Sequence, residues 1–287
     1  MTHGAVYLDH NATTPLRPEA ERAIAAALAR TGNPSSVHGF GRAVRRTVED
    51  ARERIAALVG ARPDRGASYS ARGVKPARPD SVIFTSGGTE ANALAVRGAG
   101  RERILVSAVE HASVLAAAPA AVRVPVNREG VIDLDALEAA LVADPRPALV
   151  SLMLANNETG AIQPVARAAE IARRHGALLH CDAVQAAGKI SIDLAGLGAH
   201  ILTLSAHKLG GPMGAGALVV GDAVPLEALQ KGGGQERGLR AGTENVSGIA
   251  GFGAAAAAAQ AELGRFGRLV AWRDDLEARA KAAVPSA

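Results

Sequence analysis

The chain has 287 residues, 48% of them hydrophobic, and a net charge of +4 from 32 Lys and Arg against 28 Asp and Glu. That content can bury a full core, as one large domain or one plus part of a second, while mild, dispersed charge and 2% aromatics argue against nucleic-acid binding. The single cysteine, Cys181, excludes an internal disulfide framework, and with no secretory leader ahead of Val6 and only a short alanine run at 254–259, a soluble, cytoplasmic protein without membrane contact is expected.

Helix and strand signals alternate along the chain. Pro18 to Ala29 reads as a first helix, and Gly32-Asn33-Pro34-Ser35-Ser36 as a turn. A helix over about 41–59 follows, with Val44, Val48, Ile55, Leu58 and Val59 at helical spacing. Residues 61–80 show no periodicity and predict a mobile surface loop. Strands are expected at 81–85, 104–107, 148–153, 177–181 and 201–205, and helices at 90–97, 134–141 and 165–174. Residues 216–220 predict an antiparallel closing strand. From Ala254 a long helical stretch carries Leu263, Phe266, Leu269 and Val270 on one side. This alternation predicts an α/β fold, a mostly parallel sheet covered by helices on both faces.

Chemistry gathers where these strands end. The apolar run Ala177 to Cys181 leads into Asp182, and the run Ile201 to Ser205 ends near Lys208, 26 positions later. Open α/β sheets place ligands at the carboxyl ends of buried parallel strands. Lysine and aspartate placed there suit pyridoxal phosphate (PLP): Lys208 would form the Schiff base, and Asp182 would keep the ring nitrogen protonated. Lys189, the next lysine, lies elsewhere in the pattern.

Other segments reach the same edge. Thr85-Ser86-Gly87-Gly88-Thr89-Glu90 joins a strand to a helix, either as a phosphate cradle or as a glycine turn with Thr89 as cap. His111 follows strand 104–107, where an imidazole can stack on a pyridine ring and move protons; otherwise it is a polar loop residue. Asn156 to Gly160 follows strand 148–153. Gln185, three residues after Asp182, can turn its amide to the cofactor's phenolate oxygen. Gly232 to Thr243 is glycine-rich and suits a loop approaching a ligand or a neighbouring subunit. No metal site is expected.

These stretches, with Tyr7 to Pro15, Gly32 to His38, Phe84 to Asn92, Asn156 to Pro164, His180 to Lys189 and Ser205 to Gly211, resemble the cysteine desulfurases of the class V aminotransferase family, over about residues 6–253. The resemblance implies a seven-stranded-type sheet in the type I PLP-enzyme fold. A PLP-binding large domain would cover 1–253, with 1–17 packed near the small domain, and 254–287 would begin an incomplete C-terminal small domain. It further implies that Lys208 holds PLP and Asp182 pairs with its nitrogen. His111 would stack and shuttle protons, and Gln185 and Asn157 would address the ring oxygen and the substrate. Gly88, Thr89, Ser205 and His207 would hold the phosphate, and Thr243 would reach the phosphate of a partner subunit in a homodimer. The implied reaction converts L-cysteine to L-alanine. Sulfur would pass as an enzyme persulfide to an acceptor or scaffold protein, for iron–sulfur clusters or thiolated tRNA.

The chain departs from the family in one respect. The family's nucleophilic cysteine and carboxylate-binding arginine lie in the small domain, far beyond the Schiff-base lysine. Here 79 residues follow Lys208, and the only cysteine is Cys181. Next to Asp182 on a strand, Cys181 is expected to face the other side and pack as a small apolar residue. The chain is therefore expected to be either a fragment of a longer enzyme or a shortened relative with altered function, binding PLP as it stands but forming little persulfide. The other readings are a PLP lyase or aminotransferase acting on a small amino acid, or a non-catalytic PLP-binding dimerisation or scaffold chain.

Overall fold

The structure, a computed structural model, describes residues 5–60, 78–221 and 224–284. Of the loop expected at 61–80, residues 61–77 lie outside the described residues, and Pro79–Ser81 form a 3-10 turn. Two helices come first, α1 (Pro18–Leu28) and α2 (Gly39–Leu58). Pro18 begins α1 with its ring-fixed φ, and Glu19 and Glu21 face the helix dipole there. α2 starts at the His38 ring, which accepts a hydrogen bond from Gly41 N.

Then strands and helices alternate: β1 (Val82–Thr85), α3 (Gly88–Gly98), β2 (Arg103–Ser107), α4 (Ala112–Ala117), β3 (Val122–Val124), α5 (Leu134–Ala143), β4 (Ala148–Met153), α6 (Val165–Arg174), β5 (Leu178–Asp182), α7 (Leu194–Leu197), β6 (Ile201–Ser205) and β7 (Gly216–Val220). The seven strands form one sheet in the order β1-β7-β6-β5-β4-β2-β3. β7 runs antiparallel to both β1 and β6, and the other pairs are parallel. β7 is thus antiparallel as expected but is an inner strand, with β1 outside it. Sequence periodicity missed α4, β3 and α7, each of six residues or fewer. Such segments are too short to show a period.

Period-2 alternation sorts the strands onto two faces. Leu152 of β4, Leu179 and Cys181 of β5, and Leu202 and Leu204 of β6 join the larger core with α2, α5, α6 and further helix residues. Leu149, Leu178 and Ile201 point the other way, against Ala91, Leu94 and Ala95 of α3 and Val114 of α4. Asp182, Met153 and Ser205 share the α3 side by the same alternation, which puts the strand-end chemistry under the N-terminus of α3.

The C-terminal helical stretch begins earlier than expected and is divided into α8 (Val246–Phe266) and α9 (Leu269–Ala283). The Asn245 side chain caps α8 by accepting from Gly248 N at 3.0 Å. Gly251 and Gly253 mask the helix in the sequence because glycine disfavours helices. They are required by closeness: a Cβ on Gly253 would lie 2.6 Å from Ala51 Cα, and one on Gly251 would lie 2.7 Å from Ile24. The expected apolar stripe is split by the break, and Phe266, Leu269 and Val270 are exposed, as are Trp272 and Leu276 of α9.

Candidate active site

One cavity of about 250 Å³ opens at the carboxyl edge of the sheet, lined by Gly88, Thr89, His111, Asn157, Asp182, Gln185, Ser205, His207 and Lys208. Nine of the ten expected site residues therefore meet in one place, from five separate segments. Thr243 does not: it lines a second cavity of about 230 Å³ beside Arg240 and Asn245.

Asp182 closes β5 and is 5% exposed. Its carboxylate accepts from Val184 N at 2.9 Å and from Asn92 Nδ2 at 2.7 Å. Burial pushes its pKa above the usual carboxylate range, against the pull of those two donors and of nearby His111 and Lys208. Lys208 ends the 3-10 turn after β6, and its Nζ donates to the carbonyls of Asn11 at 2.5 Å and Ala12 at 2.9 Å. Burial lowers the Lys208 pKa, opposed by Asp9 and Asp182. The N-terminal segment lies along this turn: Thr14 N donates to His207 O, Arg17 N to Gly210 O, and the Arg17 guanidinium pairs with Glu262 at 2.6 Å.

His111 caps α4, and its Nδ1 accepts from Ser113 N at 3.1 Å. An accepting Nδ1 leaves the ring proton of the neutral imidazole on Nε2. The Ser113 hydroxyl lies 2.7 Å from Nδ1 and accepts from Asn92 Nδ2 at 2.9 Å. Asn92 thus spends its amide hydrogens on Asp182 and Ser113 and links aspartate to histidine. Sequence reading missed Asn92 and Ser113. A usable signal existed for Asn92, which is four residues after Gly88 and so on the same helix face.

Two further departures concern neighbours. Lys189, set apart in the sequence, shares Asn11 with Lys208: its Nζ lies 3.3 Å from Asn11 Oδ1 and 2.8 Å from Gln185 Oε1. Glu110 is buried beside Asp182, accepts from Met153 N at 2.7 Å, and is raised well above the usual carboxylate range by burial. Cys181 is fully buried in the opposite core, and burial followed by the charges of Asp182 and Glu110 holds its thiol well above the usual range.

The residues present fit PLP. Asp182 is a buried carboxylate short of a full cationic partner. Gly88 lines the cavity at the start of α3, and a side chain there would crowd Val184 at 3.1 Å and Ser205 at 3.3 Å, so glycine keeps this end of the hollow open. First-turn N–H groups of a helix have no intrahelical acceptor, so this hollow suits a phosphate.

The chain belongs to the aminotransferase class-V family, whose model matches residues 6–266. Its relatives within that family are PLP-dependent cysteine desulfurases. A cysteine desulfurase of Cereibacter sphaeroides is 47% identical over 98% of this chain and 72% of its own length. Cysteine desulfurase IscS of Dictyoglomus turgidum is 42% identical over 87% of this chain and 62% of its own length, so the chain spans about two thirds of these relatives. Among solved structures, a NifS-like protein from Rickettsia africae superposes with a TM-score of 0.85 at 35% identity, covering 96% of this chain and 75% of the other. Among the described residues no group of His, Cys, Asp and Glu is placed to hold a metal ion, and no helix is long and apolar enough to cross a membrane.

Proposed function

We propose that this chain carries the cofactor-binding and proton-moving part of a cysteine desulfurase. The observation that carries the reading is the convergence of Lys208, Asp182 and the α3 N-terminus on one cavity. PLP, when bound, supplies an electron sink that lets the substrate's α-proton leave. Lys208 would hold it covalently, and its amine would be the group that moves the substrate's α-proton. Burial already lowers the Lys208 pKa towards that task. Asp182 would keep the ring nitrogen protonated. Gly88, Thr89, Ser205 and His207 would hold the phosphate, His111 would stack on the ring and offer its Nε2 proton, and Gln185 and Asn157 would address the ring oxygen and substrate.

The net reaction is L-cysteine plus a thiol giving L-alanine plus a persulfide. The substrate's Cβ–S bond breaks, an S–S bond forms, and Cβ takes up a proton. Cys181 is unsuited to be that thiol, being buried and held protonated. The sulfur therefore passes to a thiol outside these residues, and its onward use in iron–sulfur cluster assembly or tRNA thiolation completes the reading. We infer a homodimer with Thr243 serving the partner's phosphate, a large domain followed by a small domain entered through residues 254–287, and a cytoplasmic setting consistent with the lone unpaired cysteine.

Borohydride reduction with PLP followed by peptide mapping tests the site. A pyridoxyl adduct is expected on Lys208, and none in Lys208→Ala; an adduct on Lys189 instead sinks the assignment. With L-cysteine and an added small thiol, alanine and persulfide are expected, whereas keto acid or free sulfide without persulfide indicates a lyase or aminotransferase.

A further inference from the structure

Lys189 stands in the turn after β5, half-buried, one helical turn beyond Gln185. Its Nζ donates to Gln185 Oε1 at 2.8 Å, while Gln185 Nε2 donates to Asn11 O at 2.9 Å. We propose that Lys189 is a positioning residue that fixes which way the Gln185 amide faces, so that its nitrogen is offered to the cofactor's ring oxygen. This rests on the PLP reading of the cavity.

An ammonium has three donors and no acceptor, so the amide atom facing it must be the oxygen. A peptide carbonyl only accepts, so the atom facing Asn11 O must be the nitrogen. Two partners at the two ends of the amide therefore specify the same orientation. One Nε2 hydrogen goes to Asn11, and the other is left for a group in the cavity, which Gln185 lines. With Lys189 gone, only Asn11 opposes a flip, and a flipped amide would turn a carbonyl oxygen towards an anionic ring oxygen.

Stability alone does not account for the lysine. Burial, and then the like charge of Lys208, lower its pKa to about 8. The titratable groups near the pair are Lys208, Asp9, Asp182 and His207, with His111 across from Asp182. Two ammonium groups around one asparagine repel each other, a cost that the hydrogen bonds of Lys189 to Gln185 and Asn11 only partly offset. At neutral pH Lys189 remains mostly charged and able to donate.

The test titrates the visible absorption of the PLP-loaded protein with pH. Removing a donor from an anionic oxygen raises its affinity for a proton, so Lys189→Met is expected to move the midpoint up by about one pH unit. Lys189→Arg, which keeps a charged donor, is expected to return the midpoint towards wild type, with melting temperatures unchanged. In a Gln185→Leu background, where the amide is already lost, Lys189→Met should add no comparable shift. A wild-type midpoint in Lys189→Met, or an undiminished shift without Gln185, overturns the proposal. Should Lys189→Met not fold, Lys189→Ala, which also has no side-chain donor, carries the same expectation. Wild-type protein showing no visible band at all would defeat the cofactor reading instead.

Discussion

At Asp182, three influences meet: burial that raises its pKa, two donors that hold the carboxylate, and the charges of His111 and Lys208. Replacing it with alanine leaves the phosphate cradle at Gly88 intact but removes the group that keeps the ring nitrogen protonated. We therefore expect Asp182→Ala to retain PLP while α-proton exchange from L-alanine, followed by NMR in deuterated water, falls by orders of magnitude. Unchanged exchange would show that another group protonates the ring. Asp182 and Lys208 were legible in the sequence because each follows a mostly apolar run, which marks a buried strand end. Asn92 was half-legible, through its helix spacing from Gly88. Asn11 and Ala12 were not, because their contacts to the site span 146 positions or more, and no local pattern encodes such a meeting; Lys189, four residues after Gln185, had a local signal in that spacing alone.

Among the elements, α8 shows why composition misleads. Its glycines read as breaks, yet the helix runs through them because α1 and α2 approach too closely for side chains. Gly→Ala normally stabilises a helix interior by about 0.5–1 kcal/mol. At Gly253 the sign should reverse, since the added methyl would meet the Ala51 backbone at 2.6 Å. Gly253→Ala is expected to lower the urea midpoint, whereas Gly264→Ala, with open space around it, is expected to raise it or leave it unchanged. Equal effects at the two sites would disprove the packing account. The glycine-rich stretch 232–243 follows a related logic. Glu236 and Arg237 there take positive φ values of 45° and 59°. Glu236 is held by a bidentate, buried pair with Arg52 at 2.7 and 2.9 Å and also accepts from Phe84 N at 2.9 Å. The ion pair anchors this turn to α2, and the Phe84 hydrogen bond anchors it to β1. Sequence showed the permissive residues but not the anchor, because Arg52 sits 184 positions away on α2.

Across the whole molecule, the sheet keeps one face apolar and threads a polar row through the other. His180 in this row is fully buried, with Nδ1 2.9 Å from Ser151 Oγ and Nε2 2.9 Å from Thr203 Oγ1. Burial lowers its pKa from 6.5 to about 3. The unfolded chain therefore takes up this proton at higher pH than the folded one. The stability His180 contributes as a neutral ring is present above pH 6.5 and is lost progressively as the pH falls towards 3. Glu110 and Asp182 act with the opposite sign. Burial raises both, so their stabilising contribution is present below the ordinary carboxylate range and is lost as pH rises through their folded pKa values. Their opposition blunts the acid loss in the native protein, and the His180 contribution is isolated only by difference. His180→Asn keeps a neutral polar side chain but no group that titrates in this window. It should be less stable than wild type at neutral pH, because the bridge between Ser151 and Thr203 is disturbed. The gap should then narrow steadily on acidification, as measured by urea unfolding at successive pH values. A gap that stays constant or widens towards acid would mean that His180 is not buried as a neutral ring, and that the polar row is solvated from the cavity side.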